Sequence, residues 1–440
     1  MKNLFKKNGK FDNYFGISEN NTNIKTEMIA GVTTFMTMAY ILIVNPSILS
    51  AAGMDSGAVF SATALSAIVA TLIMGLYAKL PFAQAPGMGL NAFFAYTVVL
   101  SMGYSFQFAL TAVFLEGLIF ILLTLFNIRE AIVDSIPDNI KKAISVGIGL
   151  FIALIGLEGA GIIVHQEDGG TILALGNITS GPALLAIIGI LLTGVLLVRK
   201  IKGALFIGMI VTAIIGLFMG ITPMPTSILS MPPSFTSLLF QFEWHNIFSI
   251  DMLIVLFTLL FMDMFDTIGT LVGVATKAKM LDKDGKVPNI KKALFADAIG
   301  TTFGACVGTS TVSTFVESAS GVAEGGRTGL TAISAAAMFG LSLFFAPLFA
   351  SITSAVTCCA LVLVGLFMIE PIKEIDLSDY TEAIPAFLTI IMMPLAYSIS
   401  DGMVFGVISY IILKVFAGKR KEISITTIIV ALIFMLKFLI

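Results

Sequence analysis

Nine acidic side chains fall inside or beside the long apolar runs of this 440-residue sequence: Glu116, Glu158, Asp251, Asp263, Asp266, Asp297, Glu317, Glu324 and Asp401. A carboxylate at bilayer depth costs several kcal/mol unless it faces a partner or a cavity. Asp263 and Asp266 lie mid-run, and their i,i+3 spacing sets them on one helix face. No Lys or Arg stands in that run to neutralise them, so a functional role outweighs a purely structural polar contact. Glu317 heads a short apolar run behind a Thr/Ser-rich stretch. Helix capping is one reading of it, and contact with a ligand at the break is the other. Glu116 and Asp297 read either as structural hydrogen-bonding acids or as parts of a proton path. Glu324, beside Gly325-Gly326-Arg327, reads as the ion-pair partner of Arg327. Asp251, Glu158 and Asp401 sit near expected helix ends and read as interfacial or capping groups.

Carboxylates accept hydrogen bonds from N–H groups and also carry protons. A site built on them suits a flat, neutral, hydrogen-bonding solute, with aromatic faces to stack on it. Phe93 and Phe94 follow Asn91, and Phe265 precedes Asp266.

The elements that must position these groups are membrane-spanning. Hydrophobic residues make up 57% of the chain and charged residues 12%, as 25 basic and 27 acidic side chains. A soluble domain carries about twice that charge fraction. This excludes a cytosolic enzyme, a nucleic-acid binder and a disordered scaffold. Three cysteines, all in apolar stretches, and two histidines, His165 and His245, supply neither a disulfide framework nor a metal site. Polar residues continue to Lys25, so the first apolar run is expected to be a span rather than a cleaved leader.

Apolar segments are expected at 28–51, 57–78, 88–102, 105–126, 138–163, 181–198 and 203–221, then at 249–275, 290–307, 315–326, 328–350, 354–371, 383–398 and 401–417, fourteen in all. A further stretch, 423–440, either inserts or lies at the interface. Lys and Arg mark cytoplasmic loops. With the N-terminus inside, the loops after even-numbered segments hold Lys79, Arg129, Lys141, Lys142, Arg199, Lys200, Lys202, the six lysines from Lys277 to Lys292, Arg327, Lys373, Lys419, Arg420 and Lys421. Loops after odd-numbered segments hold Asp55, Glu167, Asp168 and the 222–246 connection with Trp244, but no Lys or Arg. The resulting division is a cytoplasmic N-terminal segment 1–26, a first repeat 27–221, an extracytoplasmic connection 222–246, a second repeat 247–418 and a C-terminal segment 419–440.

Segments 88–102 and 315–326 are too short to cross about 30 Å as helices. Each follows an irregular run, Pro86-Gly87-Met88-Gly89-Leu90-Asn91 or Thr309-Ser310-Thr311-Val312-Ser313-Thr314, and each is third in its half. Broken segments at matching positions point to a transporter binding site. Phe35-Met36-Thr37-Met38 and Phe261-Met262-Asp263-Met264 echo one another at an offset of 226, and the same offset relates Asn91 to Glu317.

Three runs then resemble one family. Ala85-Pro86-Gly87-Met88-Gly89-Leu90-Asn91-Ala92-Phe93-Phe94, Phe261-Met262-Asp263-Met264-Phe265-Asp266-Thr267-Ile268-Gly269-Thr270 and Thr309-Ser310-Thr311-Val312-Ser313-Thr314-Phe315-Val316-Glu317-Ser318 resemble the AzgA-like branch of the nucleobase:cation symporter-2 family, over about residues 10–420. The resemblance implies an all-α fold of fourteen segments in two inverted repeats of seven. It implies a core of segments 1–4 and 8–11, a gate of 5–7 and 12–14, and a meeting of short segments 3 and 10. It implies proton-coupled uptake of hypoxanthine, guanine or adenine, with no cofactor beyond the proton gradient. Asp266 matches the segment-eight acid that binds the base, Glu317 the segment-ten glutamate, and Asn91 the segment-three polar residue. Uracil-permease relatives carry a histidine four residues after the segment-eight acid, where this chain has Thr270. A histidine relay is therefore not expected, and Asp263, Asp297 or Glu317 must be considered in its place.

The resulting expectation is a purine importer in the inner membrane of a bacterium, in contact with lipid and with no nucleic-acid partner; a homodimer is compatible with it. The expected binding set is Asp266, Glu317, Asn91, Phe93, Phe265, Thr314 and Gly89, and the proton-coupling set is Asp263, Asp297 and Glu116. An anion exchanger of the same general fold would need a positive residue at the breaks, and none is there. A channel with acidic rings would show unsaturable flux. A membrane enzyme would need a nucleophile–base pair or metal cluster, and none is visible.

Overall fold

The computed structural model describes residues 9–126, 137–164, 173–277, 280–281, 287–424, 427–428 and 431–432. Arg129, His165, Glu167, Asp168, Lys279, Lys283, Lys286 and most of 423–440 lie outside the described residues.

Long apolar stretches become helices because an α-helix satisfies its own backbone where no water can. In chain order the main elements are α1 (Lys10–Phe15), α2 (Ile24–Met38), α3 (Ile41–Ala51), α4 (Ser56–Ile73), strand β1 (Gln84–Pro86), α5 (Met88–Ala92, continued by π-helical turns Phe93–Ser101) and α6 (Phe106–Leu125). Next come α7 (Asp138–Gly159), the small pair β2 (Ile163–Val164) and β3 (Ala174–Leu175), α8 (Gly181–Val198), α9 (Ala204–Phe218), α10 (Ile250–Lys277), α11 (Ile290–Val307) and β4 (Val312–Thr314). The chain closes with α12 (Ser318–Ala323), α13 (Gly329–Ser342), α14 (Ala346–Ala350), α15 (Ser354–Ile369), α16 (Tyr380–Leu395) and α17 (Ile399–Phe416). Among the described residues, nine helical stretches are long and apolar enough to cross a membrane, while Met88–Ser101, Ala204–Phe218 and Tyr380–Leu395 are apolar but shorter. The molecule is a helical, multi-pass membrane protein.

Helix starts carry the expected side-chain acceptors. Asn23 takes the N–H of Thr26 at 3.0 Å, Asp55 that of Ala58 at 2.7 Å and Ser105 that of Phe108 at 3.1 Å, each satisfying one donor the helix leaves open. The packing sorts most of the helices into two groups. In one, α13 lies on α2 and α4, and α11 lies on α4 and α6. In the other, α7 lies on α15 and α16, and α8 lies on α9 and α15. Small residues allow close approach within the groups: a Cβ on Gly189 would stand 2.8 Å from Thr212, and one on Gly365 would stand 2.4 Å from the Gly149 carbonyl oxygen.

Part of the 222–246 connection packs against the first group. Phe242 sits 4.8 Å from Phe114 and 5.7 Å from Trp244, centroid to centroid. The Phe240 N–H donates to the Cys306 carbonyl at 2.8 Å.

Two side chains depart from their expected partners. Glu324 pairs with Lys202, not with Arg327. Arg327 instead directs its guanidinium at the carbonyls of Val322 and Gly326, 2.6 and 2.7 Å away. The tight turn through Gly325, at φ +100°, folds Arg327 back over the end of α12, where helix carbonyls lack internal partners.

Candidate functional site

The two broken segments meet as strands. β1 and β4 pair antiparallel, with Gln84 opposite Thr314, Ala85 opposite Ser313 and Pro86 opposite Val312. Gly87 N–H donates to the Thr311 carbonyl at 2.9 Å, and Phe315 N–H donates to the Ala83 carbonyl at 3.0 Å. Strand pairing is a way to keep non-helical backbone at this depth, because each chain satisfies the other. Gly308, at φ +95°, turns the end of α11 into the run that becomes β4; a residue with a Cβ is strained there. Thr301 on α11 ties the run back, accepting from Val312 N–H and donating to its carbonyl, both at 3.1 Å.

Side chains alternate faces along a strand, so the pair divides its polar groups. One face carries Ala85 and Ser313, continued by Gly87. A Cβ on Gly87 would lie 2.7 Å from Ser313 Oγ and 3.4 Å from Asp266 Oδ2. With no side chain at Gly87, the Ser313 hydroxyl and Leu90 pack close to its backbone, and the Asp266 carboxylate lies beside them. Asp266 is half-buried on α10. Glu317 opens α12 and is half-buried as well. Its side chain caps nothing; it accepts from the Tyr40 hydroxyl at 2.7 Å instead. Glu317 is close enough to Asp266 to feel its charge, and Asp266 to feel that of Asp297. Among the described residues, no ion pair neutralises either one.

The opposite face carries Gln84 and Thr314. Gln84 Nε2 donates to Thr314 Oγ1 at 3.1 Å and stands 3.5 Å from Asp297 Oδ1. Thr71 holds the Gln84 backbone on both sides, accepting from its N–H at 2.9 Å and donating to its carbonyl at 3.0 Å. Thr267 then links Asp297 to Asp263, with oxygen separations of 2.8 and 3.0 Å. Every member of this cluster is buried.

The remaining expected residues fall around the pair. Asn91 on α5 is fully buried and accepts from Ser310 through Oδ1, while its Nδ2 has no partner among the described residues. Gly89 lies where α5 meets α7, and a Cβ there would stand 2.8 Å from Ile148. Phe93 is buried in the main core. Glu116 on α6 accepts from Thr311 Oγ1. The Phe265 side chain lies outside the described residues. Among the described residues, no group of His, Cys, Asp or Glu is placed to hold a metal ion.

Four residues of the site carried no signal of their own in the sequence: Tyr40, Gln84, Thr267 and Ser313. Thr267 was within reach of a spacing argument, since it lies one helical turn from Asp263. Glu27 was also missed, one residue outside the first expected apolar segment. It is fully buried and accepts from Arg327 N–H, Thr328 N–H and Oγ1, and Thr331 Oγ1 at 2.6–3.2 Å.

Residues 25–405 match a family model described as Permease family. A guanine/hypoxanthine permease of Bacillus subtilis is 46% identical over 421 residues, covering 93% of this chain and 95% of its own length. An adenine permease of Escherichia coli is 41% identical over 431 residues, covering 98% of this chain and 96% of its own. Among solved structures, the transmembrane domain of a cyanobacterium bicarbonate transporter, BicA, superposes with a TM-score of 0.65 at 16% identity, covering 87% of this chain and 97% of that one. That likeness is one of fold.

Proposed function

This chain belongs to the Permease family, and from that premise we propose that it carries purine nucleobases, hypoxanthine and guanine first and adenine next, into the cell with protons. The observation that carries the reading is the pairing of the two broken segments beside Asp266 and Glu317. A purine ring offers N–H donors on its edge, and carboxylates are strong acceptors for them. Asp266 and Glu317 hold the base, and Ser313, packed against Gly87 beside Asp266, orients that carboxylate. Asn91 presents a buried N–H donor beside the break. Asp263, Asp297 and Glu116 carry the proton. Relatives that span nearly the whole chain include guanine/hypoxanthine and adenine permeases, which supports a purine rather than another planar solute.

In this reading the chain forms fourteen segments in two inverted repeats, 27–221 and 247–418, in the inner membrane with the N-terminus inside. The group containing the strand pair rocks against the group built on α7, exposing the site to each side in turn. The anion-exchange alternative draws only on the fold likeness to BicA, and acids at the break repel an anion.

The test is uptake of labelled hypoxanthine into cells expressing the protein, with guanine, adenine, xanthine and uracil as competitors and with a protonophore. Saturable, protonophore-sensitive uptake blocked by purines is expected. Asp266→Ala and Glu317→Ala should abolish uptake while the protein still reaches the membrane. Normal uptake by both variants would end the assignment.

A further inference from the structure

On the Gln84 face of the strand pair, Thr267 stands between two carboxyl groups. Its Oγ1 lies 3.0 Å from Asp263 Oδ1 and 2.8 Å from Asp297 Oδ1, and none of the three residues is exposed. A hydroxyl has one hydrogen to give, and an ionised carboxylate has none. Thr267 therefore donates to only one of the two acids. The second contact becomes a hydrogen bond only when the other carboxyl oxygen carries a hydrogen and donates it to Thr267. Were both acids ionised, one of the two short contacts would set two acceptor oxygens face to face with no hydrogen between them.

We infer that Asp263 and Asp297 hold one proton between them and that Thr267 is the hydroxyl through which it passes. The role of this proton in transport rests on the proposed importer reading; its presence does not. In the transfer, the Asp263 O–H bond breaks as its hydrogen binds Thr267 Oγ1, and the hydrogen first held by Thr267 moves to Asp297 Oδ1. Asp263 ends as a carboxylate, Asp297 as an acid and Thr267 as a hydroxyl, so no other reactant is consumed. The reverse step returns the charge to Asp297.

That charge bears on the binding site through Gln84. Its Nε2 stands 3.5 Å from Asp297 Oδ1 and 3.1 Å from Thr314 Oγ1. A carboxylate at Asp297 accepts from Gln84 more strongly than a neutral acid does. Gln84 is adjacent to Ala85, which pairs with Ser313, the residue that lies with Asp266 beside Gly87. The proton position is thus read by the strand pair that frames the base. The other titratable groups on the elements packed around Thr267 are Asp251 and Asp266 on α10, Glu116 on α6, Glu317 at the head of α12, Tyr77 and Lys79 after α4, Lys291 and Lys292 at the start of α11, Cys306 near its end, and Lys277 at the end of α10, whose side chain lies outside the described residues. Glu116 is engaged with Thr311, Glu317 with Tyr40, and Lys292 lies over the Tyr77 ring.

The experiment has two arms on the purified full chain. In the first, infrared spectra are taken without substrate. A carboxylic-acid C=O band is expected that disappears in Asp263→Asn and in Asp297→Asn but survives in Asp266→Asn and Glu317→Gln. It should shift in Thr267→Val and return in Thr267→Ser. A wild-type spectrum without such a band, or a band that persists in both Asp263→Asn and Asp297→Asn, overturns the shared proton. In the second arm, proteoliposomes with an alkaline interior are given labelled hypoxanthine. Thr267→Val should lower accumulation by about 100-fold, the scale of losing a positioned proton-transfer group, while equilibrium binding of the base stays near wild type. Thr267→Ser should restore accumulation. Accumulation by Thr267→Val at the wild-type level overturns the relay. If the wild type itself accumulates no base, the importer reading fails, and the infrared arm still decides the proton.

Discussion

The two faces of the β1–β4 pair use the same kinds of residue for opposite ends. On the Ser313 face, the acids are half-buried: Asp266 beside Ser313 and the closely packed Gly87, and Glu317 held by one hydroxyl. On the Gln84 face, Asp263 and Asp297 are fully buried and stitched together by Thr267 and Gln84. An open carboxylate keeps lone pairs for a visitor, whereas an enclosed one must settle its charge with its neighbours. What separates the two roles is the pleat of two short strands, because adjacent strand residues point to opposite sides.

The largest effect that would break this comparison is a separation of binding from coupling. Glu317→Gln removes the charge from an acceptor on the open face. Hydrogen bonds to charged groups are worth about 1.5–3 kcal/mol, so equilibrium binding of labelled hypoxanthine should weaken by about 10–100-fold. Asp297→Asn should weaken binding far less than Glu317→Gln does and remove accumulation against a gradient. Equal losses of binding in the two variants would show that the faces are not distinct.

Gly87→Ala sharpens the comparison on the open face alone. Its Cβ would stand 2.7 Å from Ser313 Oγ and 2.9 Å from Leu90 Cδ1, displacing those side chains beside Asp266. Affinity is expected to fall about tenfold or more with the Gln84-face infrared band unchanged, since overpacking typically costs about 1–3 kcal/mol. Binding as tight as wild type would move the base elsewhere. Tyr40→Phe is the smallest change. It removes one donor to Glu317, and a few-fold loss in affinity, about 1 kcal/mol, is expected in the same binding assay. An unchanged affinity would mean that Glu317 needs no orienting partner.

The acids of the site were legible in the sequence because a charge in an apolar run is expensive and therefore conspicuous. Asp263, Asp266, Asp297 and Glu317 all stood out on that ground, and the broken segments were visible as short apolar runs behind Gly- or Thr/Ser-rich stretches. Glu27 escaped because it borders its apolar run, although four donors enclose it. Ser313, Thr267, Gln84 and Tyr40 escaped for a different reason. Hydroxyls and amides sit in membrane helices at little cost, so their presence alone signals nothing. Glu324 shows the limit of adjacency: the neighbouring Arg327 is turned onto helix carbonyls, and Lys202, remote in the chain, takes the acid.

By itself, the sequence determined that this chain crosses a membrane many times, where its polar breaks lie and which acids stand unneutralised by nearby basic residues. These are properties of composition and spacing, set by the cost of placing charge and open backbone in hydrocarbon. Only the tertiary structure decided which acids share a face. The pairing of Ala85 with Ser313 joins residues 228 positions apart. A one-residue slip in that register would exchange the two faces, and such a register is held by contacts between distant segments rather than by either segment alone.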